Sequence, residues 1–177
     1  DAYGDIFIDK EKVHRFRVGQ SKVPFGYENL QSSSNRLALD RVDALNSAVR
    51  DERDTGVFYY YTPKEIQNLF KEITDAGLKH TGNYGMFALG AYMGQGANVN
   101  DENDNYHVVT RFTYPWKTQS GQIYEAGIKA YSGNYVRSAG SYRRKNASGV
   151  LGSFTPSIDS KYRNGFDDER VAVSFRM

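Results

Sequence analysis

The sequence contains no cysteine, and this absence excludes both a disulfide framework and a thiolate metal site. It also contains no apolar run close to the ~20 residues that a membrane-spanning helix needs. Its three histidines, His14, His80 and His107, lie far apart in the chain and lack the spacing of metal ligands. We therefore expect neither a bound metal nor another cofactor.

The motifs of catalysis and of nucleotide binding are also missing. The sequence has no Gly-x-Ser-x-Gly elbow, no phosphate-binding loop and no dinucleotide fingerprint. Its charge is nearly balanced, with 23 Lys and Arg against 21 Asp and Glu, so it does not indicate a basic surface for nucleic acid. We expect no enzymatic activity, no catalytic residues and no nucleic-acid partner.

The chain is instead rich in aromatic residues and glycine, with 14 Tyr, 10 Phe and 17 Gly among its 177 residues. Hydrophobic residues nevertheless reach only 39%. Disordered chains are poor in aromatic residues, which argues against disorder. In a membrane β-barrel one strand face meets lipid and the other meets water, so about half of each strand is polar. The composition therefore favours a barrel that forms a single domain over residues 1–177.

Alternating apolar and polar residues predict about seven strands, separated by connections of very unequal length. The predicted strands span residues 3–9, 14–23, 55–61, 83–93, 106–114, 124–132 and 170–176. We interpret residues 25–53 and 133–168 as mostly loop, and residues 115–121 as a short turn. The predicted fold class is all-β: an antiparallel transmembrane β-barrel that is only partial in this chain.

Short and long connections largely alternate along the chain, as is typical of outer-membrane barrels with brief periplasmic turns and long outer loops. Tyr114 and Trp116, beside a short turn, fit the aromatic girdle of such a barrel. Two alternatives stay open at this point. An outer-membrane adhesin or receptor would also carry long loops, and a soluble β-sandwich or lipocalin-like binding protein would also have alternating strands.

One short helix is predicted at residues 63–76, where the strand pattern is interrupted. Thr62-Pro63-Lys64-Glu65 predicts a capping box with proline at the first helical position, and Gly77 is expected to end the helix. Its apolar stripe consists of Ile66, Leu69, Phe70 and Ile73. We interpret the helix as a structural plug that covers a barrel mouth or a strand edge, with a partner-binding helix as the alternative.

Cations on the polar strand faces are the main candidates for a functional site. The candidates for lining a pore are Arg15, Arg17, Arg111, Lys129, Arg170 and Arg176. Rings of Arg or Lys favour anions in a pore, and the guanidinium fork matches the oxygens of phosphate. In the alternative interpretation these cations only solvate the wall and are balanced by carboxylates, of which we assign Glu125 to the same faces.

The long connection at residues 25–53 offers a second group of candidates. Long porin loops can fold inward and narrow the channel, and apolar residues such as Leu45 and Val49 would let this one pack against the wall. The candidates at such a constriction are Arg36, Arg41, Arg50 and Arg53. An exposed outer loop is the alternative.

Residues 16–26, Phe-Arg-Val-Gly-Gln-Ser-Lys-Val-Pro-Phe-Gly, resemble a strand of the phosphate-selective O and P porins. Residues 53–57, Arg-Asp-Thr-Gly-Val, are similar to that family's entry into the next strand. Residues 89–98 are similar to a later strand end that contains Gly-x-Gly and Asn. The resemblance runs in order from residue 15 to about residue 132.

The resemblance implies a porin of the bacterial outer membrane, which is embedded in lipid and passes small, mostly anionic solutes by diffusion. It also implies homotrimers and longer chains with more strands. Single-chain bacterial barrels have even strand numbers, and open sheet edges in lipid would leave backbone groups unsatisfied. We therefore expect this chain to be a segment of a longer barrel, or other chains to complete it. No individual arginine can be matched to the basic residues near the family's constriction. The helix at 63–76 has no match in the family.

Overall fold

The computed structural model describes residues 1–35, 41–78, 80–99, 105–135, 141–145, 148, 150–156 and 166–177. In chain order the strands are β1 (Ala2–Phe7), β2 (His14–Lys22), β3 (Arg53–Tyr61), β4 (Phe87–Tyr92), β5 (His107–Lys117), β6 (Ile123–Tyr135), β7 (Ser141–Lys145), β8 (Leu151–Pro156) and β9 (Phe166–Arg176). Strands β7 and β8 form a separate hairpin, and the others form one seven-stranded sheet in the order β1-β2-β3-β4-β5-β6-β9. All neighbouring strands of this sheet are antiparallel.

Strands β1 and β9 lie at the two edges of the sheet. Within the described residues they do not pair with each other, so the sheet is open. The predicted all-β, antiparallel architecture of seven strands is confirmed, and the sheet has the strand order of part of a barrel wall.

The two faces of the sheet differ sharply in exposure, as the alternation predicts. On β5, Phe112 is 46% exposed whereas the neighbouring Arg111 is 1% exposed. We call the exposed side the outer face; its large apolar residues include Val18, Val57, Leu89, Val108, Phe112, Ile128, Val173 and Phe175. The opposite side, here called the inner face, carries most of the charged and aromatic residues that the structure buries.

Residues 23–52 are here called the inner loop, and its described residues, 23–35 and 41–52, cover the inner face. They contain the short helices α1 (Tyr27–Leu30) and α2 (Asp43–Asn46), with 3-10 turns at Ser33–Asn35 and Arg50–Glu52. Phe25 packs edge-on against Tyr131 of β6, with ring centroids 4.8 Å apart. Because this contact and the buried Val49 place the loop against the sheet, it folds inward and is not an exposed outer loop.

Helix α3 (Lys64–Asp75) lies between β3 and β4 and matches the helix predicted at 63–76. Its buried residues Ile66, Phe70 and Ile73 pack against Met86 and Ile123. None of the helices in the described part of the chain is long and apolar enough to span a membrane.

The two ends of α3 differ in how well the sequence predicts them. At the C-terminus Gly77 has φ 72°, and the Leu78 N–H donates to the Ile73 carbonyl at 3.1 Å, so glycine ends the helix as predicted. The capping box is wrong: Pro63 is the N-cap, and no side chain caps the helix. The Thr62 hydroxyl instead donates to Asn83 Oδ1 at 2.9 Å, because the chain returns beside the end of β3.

Three predicted boundaries on the strands need correction. The segment 133–168 contains strands that the sequence did not predict: β6 continues to Tyr135, the β7–β8 hairpin follows, and β9 begins at Phe166, while residues 136–140, 146, 147, 149 and 157–165 lie outside the described residues. Strand β4 begins at Phe87 instead of residue 83, after Gly85 with φ 78°.

Strand β5 continues to Lys117, so the predicted turn at 115–121 is too long. The Thr113 N–H donates to the carbonyl of Met86, the residue just before β4. An N–H at position 115 would lie on the same side of β5, beyond the start of β4, where no strand residue is present to accept it. Proline is therefore tolerated there.

The turn between β1 and β2 is tight. The Asp9 carboxylate accepts the backbone N–H groups of Val13 at 2.9 Å and His14 at 2.8 Å. These backbone hydrogen bonds lower the pKa of Asp9, because they stabilise its ionised form. The turn is therefore held by a side chain that is charged at neutral pH.

Candidate functional site

The strand cations predicted to line a pore all lie on the inner face. They are Arg15 and Arg17 on β2, Arg111 on β5, Lys129 on β6, and Arg170 and Arg176 on β9. Their local environments divide them into cations with a carboxylate partner and cations without one.

Arg15 and Arg17 share the carboxylate of Asp5 on the neighbouring β1. Arg17 donates to both Asp5 oxygens, at 2.7 and 2.9 Å, which is the bidentate geometry that guanidinium favours. Arg15 approaches the same carboxylate at 3.5 Å and also donates to the Asn83 carbonyl at 2.6 Å. The guanidinium of Arg15 lies 4.6 Å from the ring centroid of Tyr60. This pair is therefore compensated and held in place.

Arg170 fastens the inner loop to the edge strand β9. It pairs with Asp168 at 2.9 Å, and the Tyr131 hydroxyl also donates to Asp168. Its guanidinium donates to the Ala44 carbonyl at 2.6 Å and to the Ser47 hydroxyl at 2.7 Å, and both acceptors lie in or next to α2. Arg170 thus anchors the loop instead of facing an open passage.

Arg176 pairs with Glu125 of β6 at 2.6 Å, and its guanidinium lies over the ring of Tyr27 in α1. The other Glu125 oxygen faces His80 Nε2 at 3.4 Å. Burial raises the pKa of Tyr27, so its ring stays neutral beside the cation at neutral pH. Tyr27 and His80 were not among the predicted site residues, because no sequence pattern links them to β6 or β9.

Arg111 and Lys129 are directly opposite each other in the β5–β6 register, and each is 1% exposed. Lys129 Nζ donates to the Ser174 hydroxyl, whereas Arg111 Nε and Nη1 and the Thr113 hydroxyl have no hydrogen-bond partner among the described residues. Gly127 lies opposite Thr113, and a Cβ at this position would come within 3.1 Å of Lys129 Nζ.

We call Arg111, Thr113, Gly127 and Lys129 the cationic patch. The ion pairs of the described residues include neither Arg111 nor Lys129. The patch is therefore the part of the wall where positive charge is least compensated by carboxylates.

Glu125 is not the only carboxylate on the inner face, so that sequence assignment was incomplete. Asp5 and Asp168 also lie there, and Glu52 of the inner loop pairs with Lys22 of β2, so each of these carboxylates has at least one cation partner. Asp54 has a different role, because it accepts the backbone N–H groups of Gly94 at 2.7 Å and Gly96 at 3.1 Å. It thereby attaches the connection after β4 to the start of β3.

The constriction candidates separate into two groups. Arg41 and Arg53 both approach Glu52, at 3.6 and 3.3 Å, and Lys22 reaches the same carboxylate at 2.9 Å. Arg50 has a side chain that is 66% exposed and pairs only weakly, at 3.8 Å, with Asp51. Arg36 lies outside the described residues.

Three cavities lie beside the inner loop. The first, of about 570 Å³, is lined by Lys22, Glu52 and Arg53 at one side and by Thr74, Leu78 and His80 at the other. The second, of about 590 Å³, is lined by Tyr27, Ile73, Leu78, His80, Glu125 and Arg176, among others. The third, of about 310 Å³, contacts Lys129 and Arg176 near β9. Of the predicted cations, Arg53, Lys129 and Arg176 therefore contact these cavities.

The described residues contain no cluster of His, Cys, Asp and Glu that could hold a metal ion. The inner face can therefore act chemically through hydrogen bonds and charge. It offers positive charge, hydroxyl groups and aromatic rings along a polar surface.

A family model described as phosphate-selective porin O and P matches residues 1–171 of the 177-residue chain. No curated protein and no solved structure matches the chain. The family match covers β1 to β8 completely, together with the inner loop, α3 and the first part of β9.

Proposed function

Since the chain belongs to the phosphate-selective porin O and P family, we propose that it forms part of a passive diffusion channel for small anions in the bacterial outer membrane. The observation that carries the anion preference is the cationic patch on the inner face. The family match supports a channel over the soluble β-sandwich or lipocalin-like alternative.

The outer face supports placement in a bilayer. Large apolar side chains are exposed on its neighbouring strands, as lipid contact requires. Near the short β5–β6 turn, Trp116 stacks with Tyr124 at 5.7 Å and with Tyr114 at 6.4 Å between ring centroids. Phe175 of β9 joins this cluster. Aromatic rings gather at the membrane interface of barrels, so we place the short-turn end of the sheet at one interface.

The cationic patch supports anion preference because its charges lie in a covered part of the wall. Two opposite unit charges about 4 Å apart attract each other by roughly 4 kcal/mol at an effective dielectric constant of about 20. Arg111 Nε and Nη1 and the Thr113 hydroxyl are additional donors from which an oxyanion can accept hydrogen bonds. Cations with carboxylate partners, such as Arg17 and Arg170, contribute less to the net field.

The inner loop supports a narrowed passage. It covers the inner face, and Glu52 near its end pairs with Lys22, Arg41 and Arg53. Of these residues, Lys22, Glu52 and Arg53 line the first cavity. We propose that this loop sets the size limit for solutes, with Arg41 and Arg53 stabilising its position. Arg50 is too exposed for that role.

Open edges at β1 and β9 support completion of the barrel by further strands. Unpaired backbone groups at a sheet edge cannot be satisfied by hydrocarbon, so a closed wall requires additional strand pairing. We propose that the additional strands belong to the same barrel wall, and that association into trimers is a separate step between complete barrels.

The anion preference is tested by reversal potentials across a planar bilayer under a salt gradient, with the protein in its native assembly. We expect an anion-selective parent and a several-fold lower anion preference for Arg111→Gln/Lys129→Gln. Arg50→Gln/Lys71→Gln is the matched control, because it removes the same charge from exposed side chains. The difference should shrink in 1 M salt, where the Debye length is about 3 Å instead of about 10 Å at 0.1 M.

Two results would contradict the proposal. A cation-selective parent, or a double variant that keeps the parent's selectivity, would mean that the cationic patch only solvates the wall. An assembly that binds a surface ligand without conducting would favour the adhesin or receptor alternative.

A further inference from the structure

His80 lies in the connection between α3 and β4, at the place where the two larger cavities meet. Its side chain contacts both cavities, and only 9% of that side chain is exposed. The ring packs against Phe70 of α3, with centroids 4.7 Å apart. The imidazole is therefore held between α3 and the inner face of the sheet.

Hydrogen bonds determine which ring nitrogen of His80 carries the proton. The Gly82 backbone N–H donates to His80 Nδ1 at 3.1 Å, so Nδ1 must be the unprotonated nitrogen of the neutral ring. The proton then resides on Nε2, which faces the Glu125 carboxylate at 3.4 Å. One imidazole thus connects the turn at residues 80–82 to the wall at β6.

Protonation of His80 changes both contacts in a defined direction. A protonated Nδ1 is a donor and can no longer accept the Gly82 N–H, so the turn loses a hydrogen bond. At the same time a positive charge appears beside Glu125, which attracts it. The surface between the two cavities becomes more positive by one unit charge.

The neighbouring charged and titratable groups determine the size of this change. The sheet contributes Glu125, Arg176 and Arg111, the inner loop contributes Tyr27, and the first cavity is also lined by Lys22, Glu52 and Arg53. From α3 the ring meets the apolar Phe70. Glu125 favours the charged ring, whereas Arg176, already paired with Glu125 at 2.6 Å, opposes it.

We propose that His80 is a pH-sensitive specificity-determining residue of the channel: its protonation makes the junction of the two cavities more positive and raises the preference for anions. The inference rests on the proposed channel function. An ordinary imidazole titrates near pH 6.5, whereas ordinary carboxyl groups titrate near pH 4. Both pH values lie above the ordinary range of carboxyl groups, and the comparison of the parent with His80→Gln assigns the change to His80.

The experiment measures reversal potentials of the native assembly at pH 8 and pH 6, with chloride as the anion. We expect the ratio of anion to cation permeability to rise several-fold at the lower pH, because the added positive charge attracts the anion and repels the cation. His80→Gln should abolish this rise. His14→Gln and His107→Gln are the matched controls and should retain it.

A second measurement needs neither conductance nor a variant. In parent protein labelled with ¹⁵N-histidine, the His80 ring should carry its proton on Nε2 at pH 8. Amide exchange at Gly82, corrected for its intrinsic pH dependence, should become faster between pH 8 and pH 6. An Nδ1-protonated ring, or a Gly82 amide with unchanged protection, would overturn the proposal.

The outcomes separate the two proposals. An assembly that does not conduct would overturn the channel function itself. A conducting, anion-selective assembly whose preference is the same at both pH values, or rises equally in His80→Gln, would overturn the role of His80 alone.

Discussion

At the residue scale, buried charge on the inner face is placed by strand register. Asp5 is opposite Arg17 in the β1–β2 pair, and Arg176 is opposite Glu125 in the β6–β9 pair. Side chains directly opposite each other in an antiparallel pair lie about 5 Å apart, so the register itself brings these charges into contact. A shift by one residue would move them to the outer face.

Asp54 shows how a single carboxylate can hold a connection. It accepts backbone N–H groups from Gly94 and Gly96, and both glycines have positive φ, of 87° and 94°. Gly94 has no room for a side chain, because a Cβ there would lie 2.3 Å from the ring of His107. The connection after β4 therefore depends on glycine and on Asp54 together.

We predict that Asp54→Ala lowers the free energy of unfolding by about 1–3 kcal/mol, because it leaves buried N–H donors without an acceptor. The measurement is urea unfolding of the assembly in lipid vesicles, followed by tryptophan fluorescence. Asp75→Ala, which removes an exposed carboxylate from α3, is the control and should change stability little. Equal stability of the two variants would show that water replaces the lost carboxylate.

At the element scale, the strands have a two-sided character that fits a wall between lipid and a polar interior. Phe112 on the outer face and Arg111 on the inner face are adjacent in sequence and differ by almost half of their surface in exposure. Because side chains alternate along a strand, one residue type cannot replace the other without reversing the polarity of a face.

We predict that Phe112→Arg destabilises insertion by about 2–4 kcal/mol, the cost of arginine on the lipid side near the bilayer midplane. Folding into vesicles at increasing urea concentrations measures this cost. Glu65→Arg on the exposed side of α3 is the control and should insert like the parent. Normal insertion of Phe112→Arg would mean that the outer face does not meet lipid.

Helix α3 is the element that departs most from a plain barrel wall. The Gln67 side chain donates to the carbonyls of Glu11, Lys12 and Thr62, and Lys117 at the end of β5 pairs with Glu72. These contacts fasten α3 beside the short turns, in agreement with a structural plug. In this position it also places His80 beside β6.

At the scale of the whole molecule, the main feature is that the described strands form an open sheet. Exposed apolar residues lie on both edge strands, including Ile6 of β1 and Val171 of β9. Hydrocarbon cannot satisfy the backbone groups of these edges. The sheet is therefore stable in a membrane only when further strands continue it.

We predict that residues 1–177 expressed alone do not form a discrete, heat-modifiable barrel in detergent micelles. They should instead associate through the edges β1 and β9, and size-exclusion chromatography with light scattering measures that association. The native assembly is the control and should give a single defined species. A stable, conducting monomer of these residues would refute the need for added strands.

The sequence by itself determined the strands, their two faces, the position of α3 and the family resemblance. These properties are local: alternation has a period of two residues, the apolar stripe of α3 has helical spacing, and Gly77 ends the helix by its own conformational freedom. The predicted strand cations, from Arg15 to Arg176, were placed on one face for the same reason. No tertiary contact is needed to establish these local patterns.

Only the tertiary structure decided which of these cations are compensated. The inward fold of the inner loop, the contact of His80 with Glu125 across 45 residues, and the anchoring of Ala44 by Arg170 across 126 residues join distant segments. Such contacts depend on register and packing, which sequence spacing does not encode. A tertiary contact also explains why the predicted capping box does not form. The Thr62 hydroxyl donates to Asn83, which lies beside it only when β3 and β4 are adjacent.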